Sequence, residues 1–139
     1  MSKRTQNLLL ACISLLSGAC LYAIFRCTTY VGSLLLGLPL FQWMHNSFHH
    51  LSSPLLSYYL PDLLWCFSFC SILNAIYLPK RLGILVCGAA AILLGILWEA
   101  MQYSRIVSGT GDLWDILTYL LAALLSTIIN LEGTKHEKD

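Results

Sequence analysis

The order of apolar and polar residues divides the chain into long apolar runs separated by short polar stretches. The runs cover about residues 8–25, 61–77, 82–102 and 113–131. As helices, runs of this length span the roughly 30 Å of hydrocarbon in a bilayer. The pattern therefore predicts an all-α fold, an integral membrane four-helix bundle that forms a single domain.

Residues 26–54 do not fit this pattern. An apolar piece at about 31–40 is closed by Pro39, and Trp43 and the histidines His45, His49 and His50 follow it. The piece is too short to cross a membrane, and its mixture of aromatic and polar residues is typical of the membrane surface. We predict an interfacial or re-entrant segment at about 31–50, between the first and second spans.

The first run has a second interpretation, as a cleaved signal peptide. Ser17, Gly18 and Ala19 before Cys20 resemble a small-residue cleavage site, but the apolar run continues to Phe25. We therefore predict that the first span is retained in the protein and is not cleaved.

Composition agrees with a membrane protein. Of 139 residues, 58% are hydrophobic and 11% are charged, which is too little polar surface to cover a soluble globule. The net charge of +1 provides no basic face for nucleic acid. Five of the six cysteines lie inside apolar runs, where cysteine acts as a small hydrophobic residue, so no disulfide framework is indicated.

The basic residues predict the orientation. With four spans, one side carries six of them and the other carries only Arg26 and Arg105; the six are Lys3, Arg4, Lys80, Arg81, Lys135 and Lys138. The positive-inside rule then places both termini in the cytoplasm and the protein in the cell (inner) membrane. All four tryptophans fall at the outer boundary, as an aromatic belt.

The same boundary collects most of the acidic residues near the spans. Carboxyl groups are costly within a membrane and usually face the bundle interior or water, so their convergence indicates a ligand-binding site. The candidate residues are Asp62, Glu99, Gln102, Arg105, Asp112, Asp115 and Tyr119.

These candidates also have structural interpretations. Asp62, Asp112 and Asp115 stand at helix starts, where an acid caps free N–H groups. Glu99 stands in the last turn of its helix, where the dipole disfavours an anion. It is therefore either protonated or held by a donor such as Arg105, Gln102 or Tyr119, and its simplest role is a structural hydrogen bond between spans.

Small residues indicate how the last two spans pack. One stripe recurs every four residues on the third span and a comparable one lies on the fourth, so we expect these faces to meet and Glu99 to lie beside Asp115 or Tyr119. The stripes are Gly83, Cys87, Ala91, Gly95 and Glu99, and Asp115, Tyr119, Ala122 and Ser126.

A metal site is a weaker hypothesis. His45 and His49 are one helical turn apart and could bind zinc together with Asp62, but local spacing fixes no third ligand. We expect no metal and no other cofactor.

The end of the chain resembles VanZ-like integral membrane proteins. An E-x-x-Q helix end, from Glu99 to Gln102, is followed by the turn at Gly109 to Gly111 and by a D-x-x-D helix start, Asp112 to Asp115. Asp62 after Pro61 resembles the acidic start of an earlier helix in that family. The chain departs from the family pattern at several positions, namely Trp65, Cys66, Gly109, Tyr119 and Ala122.

The resemblance implies a role at the cell envelope, since the family is associated with teicoplanin resistance. The expected function is to bind or modify a lipid headgroup, a cell-wall precursor or a glycopeptide, with membrane lipids as partners and a homo-oligomer as an open option. One alternative is a small proton-coupled transporter or channel subunit that uses Glu99. A second is an enzyme on a lipid-linked substrate, for which no catalytic residue is identified because no nucleophile or oxyanion donor accompanies the carboxyl groups.

Overall fold

The computed structural model describes residues 2–26, 30–77, 81–107 and 112–135, without the side chains of 30–32 and 132–135. Over this part of the chain the structure is helical and contains no strand. The α-helices are α1 (Lys3–Phe25), α2 (Tyr30–Leu36), α3 (Pro39–Phe48), α4 (Leu60–Tyr77), α5 (Arg81–Tyr103) and α6 (Leu113–Lys135).

Among the described residues, four helical segments are long and apolar enough to cross a membrane: Lys3–Phe25, Leu55–Tyr77, Arg81–Tyr103 and Leu113–Leu131. They confirm the predicted all-α fold with four spans. The first helix begins at Lys3, before the apolar run, because the Ser2 hydroxyl caps it by accepting a hydrogen bond from the Thr5 N–H at 3.1 Å.

The second span begins earlier than predicted. Pro61 was expected to open it, but a π-helical turn, Leu55–Tyr59, leads into α4 without a break. The N–H of Leu60 donates to the carbonyl of Leu55, five residues back. Proline has no N–H to continue the usual pattern, and a π turn is a known way for a helix to absorb such an irregularity. The α-helix itself begins at Leu60, one residue before the predicted start, and the π turn extends the span by five residues toward the N-terminus.

Helix α4 lies at the centre of the bundle. It packs against α1, α5 and α6, and α5 also packs against α6. At the end that holds the N-terminus, the buried Asn7 side chain donates to Asn130 of α6 at 2.8 Å, and Asn74 of α4 donates to Ser126 at 3.3 Å. Lipid offers no partner to such groups, so these bonds between spans fix which helix faces meet.

Small residues bring the helices close together. A Cβ atom added to Gly18 of α1 would lie 2.7 Å from the indole of Trp65 on α4, and one added to Gly88 of α5 would lie 3.2 Å from the Thr127 hydroxyl on α6. Most large apolar side chains point outward instead, which is the arrangement expected where lipid surrounds the bundle.

The segment after the first span forms two short helices beside the end of α1. Both α2 and α3 pack against α1, and a ring nitrogen of His45 lies 2.7 Å from the carbonyl oxygen of Ile24. Pro39 opens α3 and does not close an apolar element, because the first helical position needs no N–H donor. An interfacial or re-entrant position for this segment stays a prediction.

Candidate functional site

Glu99 joins the end of α5 to the start of α6. Its side chain is 5% exposed. The Tyr119 hydroxyl donates to Oε1 at 2.9 Å, and the backbone N–H of Asp112 donates to Oε2 at 3.0 Å. The expected neighbourhood of Glu99 and Tyr119 is confirmed, as is a hydrogen bond between spans. The unfavourable dipole of α5 is offset because the carboxyl group accepts the Asp112 N–H just before α6, near the positive end of that helix dipole.

Asp112 caps α6, as its position at a helix start suggested. Its Oδ1 accepts a hydrogen bond from the backbone N–H of Trp114 at 3.0 Å. Asp115 lies in the first turn of α6, half-buried, within electrostatic range of Glu99, Asp112 and Arg26. Of these two acids, only Asp112 has its side chain committed to the helix start.

Gln102 and Arg105 do not hold Glu99. The chain turns away after α5, with Arg105 in a left-handed conformation, φ 57°, and its N–H bonded to the Gln102 carbonyl at 2.9 Å. The Arg105 side chain is exposed, and the described hydrogen bonds of Glu99 go to other residues. Of the three donors suggested for Glu99, the described structure shows Tyr119, and the turn after α5 leaves the Arg105 side chain exposed.

The predicted stripe on α5 meets α6 only in part. A Cβ on Gly95 would overlap the Tyr119 ring, and both Cys87 and Ala91 are buried. Gly83 has no atom near the position of an added Cβ, so it lies outside the contact. On α6, Ser126 faces α4 and not α5, since it accepts the hydrogen bond from Asn74 that joins those helices.

A cleft of about 310 Å³ lies between the four long helices α1, α4, α5 and α6. Its polar groups come from Asp62 and from the hydroxyl-bearing Tyr22 and Tyr119, and its apolar wall reaches Phe69 on α4. From Asp62 to Phe69 the helix rises by about 10 Å. The full lining is Tyr22, Asp62, Trp65, Cys66, Phe69, Ala91, Gly95, Trp98 and Tyr119.

Sequence reasoning missed the part of the site contributed by the first span. Tyr22 of α1 lines the cleft, and its hydroxyl accepts a hydrogen bond from Arg26 at 2.9 Å. The Arg26 guanidinium also lies 5.1 Å from the centre of the Tyr22 ring and 4.8 Å from that of Tyr58. A signal was present, because Arg26 is a basic residue at the boundary where the acids gather.

The histidines form a stacked pair and not a metal cage. The rings of His45 and His49 are 5.2 Å apart, and a His49 ring nitrogen lies 3.0 Å from the His45 carbonyl oxygen. In the described part of the chain no group of three or more His, Cys, Asp or Glu side chains is placed to hold a metal ion. His45 and His49 do not form such a group with Asp62.

Fold and cleft together define a polytopic membrane protein with a partly polar cleft between its spans. Comparisons with protein families, with curated proteins and with solved structures find no match. The resemblance to VanZ-like proteins therefore stays a prediction that rests on the residues quoted above.

Proposed function

We propose that this protein is a VanZ-like protein of the cell membrane that binds an amphipathic envelope molecule in the cleft. The polar part of the ligand lies at the Asp62 end, on the outer side of the membrane, and an apolar chain extends toward Phe69. The observation that carries the proposal is the cleft itself, because it combines polar groups with an apolar wall that extends about 10 Å along α4.

The size and lining of the cleft suit part of a lipid. Ligand pockets have volumes of about 300–1,000 Å³ and are mostly apolar with a few polar groups, and this cleft, at about 310 Å³, stands at the small end. It fits a segment of one acyl chain with the adjoining polar group. The rest of the ligand then lies in the surrounding bilayer or in water.

Transport through Glu99 loses support from the geometry. Both Glu99 oxygens accept hydrogen bonds at the junction of α5 and α6, and Glu99 does not line the cleft. A carrier needs a group that can exchange its partners as the site alternates. Binding without transport agrees better with a carboxyl group that fastens two helices together.

The experiment is photo-crosslinking of the purified protein in liposomes to a phospholipid with a diazirine near the middle of one acyl chain. Crosslinked peptides are mapped by mass spectrometry. We expect the label on α4 and α5 around Phe69 and Ala91. Ala91→Leu fills the cleft and should lower this labelling by at least about threefold, since Ala91 is buried in its wall.

The matched control is Ala89→Leu, the same change on the exposed side of α5. It should leave the labelling unchanged. If Ala91→Leu fails to fold, Phe69→Trp narrows the cleft from a position that is 37% exposed. Equal labelling of the wild type and of a folded cleft-filling variant would overturn the proposal.

A further inference from the structure

We infer that the polar part of the ligand is the protonated primary amine of a membrane lipid, bound by Asp62 with Asp115 nearby. This inference rests on the proposed function, because it names the headgroup of the molecule whose chain occupies the cleft. It distinguishes an ethanolamine-type headgroup from an anionic one and from a quaternary ammonium.

Asp62 is the acid that faces the cleft. Asp62 lines the cleft, whereas Glu99 and Asp112 accept hydrogen bonds from backbone N–H groups at the start of α6 and do not line it. Asp62 is half-buried and stands one turn before Trp65 on the same wall. A headgroup above the cleft therefore meets this carboxyl group first.

Acidic groups outnumber basic ones around Asp62. The groups within electrostatic range of Asp62 are the acids Asp115 and Glu99 and the guanidinium of Arg26, so three carboxyl groups face one cation in the described structure. A phosphate or a carboxylate arriving there would add to an excess of negative charge. A cationic headgroup reduces that excess, and carboxylates with low solvent exposure gain most from such a partner.

The lining of the cleft favours a primary ammonium over other cations. A primary ammonium donates up to three hydrogen bonds, and the two oxygens of the Asp62 carboxylate together with the Tyr119 oxygen can accept them, whereas the Tyr22 hydroxyl already accepts from Arg26. The indoles of Trp65 and Trp98 add aromatic faces that attract cations. A quaternary ammonium gains only the aromatic attraction, and a metal ion has no group of three suitable side chains among the described residues. The apolar wall below Asp62 selects an amine that carries a chain.

The test measures headgroup preference by fluorescence quenching in liposomes with brominated acyl chains. Trp65 and Trp98 line the cleft and serve as reporters, in a background where Trp43 and Trp114, which do not line it, are replaced by phenylalanine. Because Trp65 and Trp98 are also 41% and 47% exposed, binding in the cleft is taken as the part of the quenching that Ala91→Leu removes. Ethanolamine, choline and glycerol headgroups are compared on the same brominated chains. We expect the relative binding constant for ethanolamine to exceed that for choline by about threefold, as a partly exposed ion pair allows.

Asp62→Asn should abolish the preference for ethanolamine, and Asp62→Glu should retain part of it. The matched control is Asp112→Asn, which removes a carboxylate at the same boundary and keeps a good helix cap. It should leave the preference intact. If Asp62→Asn does not fold, Asp115→Asn tests the same excess of negative charge and should weaken the preference.

The outcomes separate this inference from the proposed function. If Ala91→Leu lowers quenching for every headgroup but the wild type shows no preference for ethanolamine, the cleft binds chains and the amine inference is wrong. A preference that survives in Asp62→Asn also overturns it. If Ala91→Leu changes nothing, the proposed function itself fails.

Discussion

The two hydrogen bonds at Glu99 predict a graded loss of stability when that side chain is changed. Glu99→Leu keeps a similar volume but leaves the Tyr119 hydroxyl and the Asp112 N–H without their acceptors in a site that is 5% exposed. Hydrogen bonds between membrane helices contribute about 0.6 kcal/mol on average and up to about 1.7 kcal/mol each. Losing two bonds should therefore lower the free energy of unfolding by about 1–3 kcal/mol.

Two milder substitutions should lower the free energy of unfolding by less. Glu99→Gln retains an oxygen that can accept from Asp112, and its amide can donate to the Tyr119 hydroxyl, so the loss should stay below about 1 kcal/mol. Tyr119→Phe removes one hydrogen bond and keeps the ring that packs on Gly95. Its cost should fall near that of a single bond, about 0.6–1.7 kcal/mol.

The assay is reversible unfolding of the purified protein in mixed micelles by increasing amounts of sodium dodecyl sulfate, followed by circular dichroism. The double variant Glu99→Leu with Tyr119→Phe is the decisive measurement. In the single variant Glu99→Leu, the Tyr119 hydroxyl is left without an acceptor. The double variant removes that hydroxyl, so its loss of unfolding free energy should be smaller than the sum of the two single losses. Strict additivity, or a Glu99→Gln variant as unstable as Glu99→Leu, would refute this account of the junction.

Two further predictions concern packing and orientation. Gly18→Ala should lower the free energy of unfolding by about 1–3 kcal/mol in the same assay, because the added methyl group meets the Trp65 indole. Ser17→Ala, on the exposed side of α1, should change it little. Equal effects of the two substitutions would contradict the close contact between α1 and α4. If both termini are cytoplasmic, a membrane-impermeant maleimide added to whole cells should label Ser104→Cys and not Ser2→Cys, each in a variant whose six native cysteines are replaced by alanine. The reverse pattern would place the cleft mouth on the inner side.

The four spans could be predicted from the sequence because hydrocarbon thickness fixes the length of an apolar run. Their exact starts could not, because local hydrogen bonds decide them. The Ser2 cap moves the start of α1 to Lys3, and the π turn before Pro61 joins residues 55–59 to α4. A proline in an apolar run permits either a helix start or a continued helix, and only the surrounding backbone bonds decide between them.

The cleft could not be predicted because it depends on how helices distant in sequence rotate against each other. Stripes on α5 and α6 predicted that Glu99 would meet Tyr119, since both residues lie on faces marked by small neighbours. No comparable stripe of small residues predicted that Tyr22 would lie beside Asp62. That contact follows from the close approach of α1 to α4 at Gly18. There a glycine on α1 packs against the large Trp65 side chain on α4, so the two helices do not show matching stripes of small residues.

The structure also assigns different roles to two acids that the sequence treats alike. Glu99 and Asp62 both stand near the ends of apolar helices on the same side of the bundle, and Glu99 attracts more attention because its helix dipole is unfavourable. Yet the start of α6 lies against Glu99 and supplies the donors that an anion there needs, whereas Asp62, at the start of α4, opens toward the cleft. The acid in the less favourable local position is therefore the one with a structural role. Substitutions at Glu99 should be visible first in unfolding, and those at Asp62 first in headgroup preference.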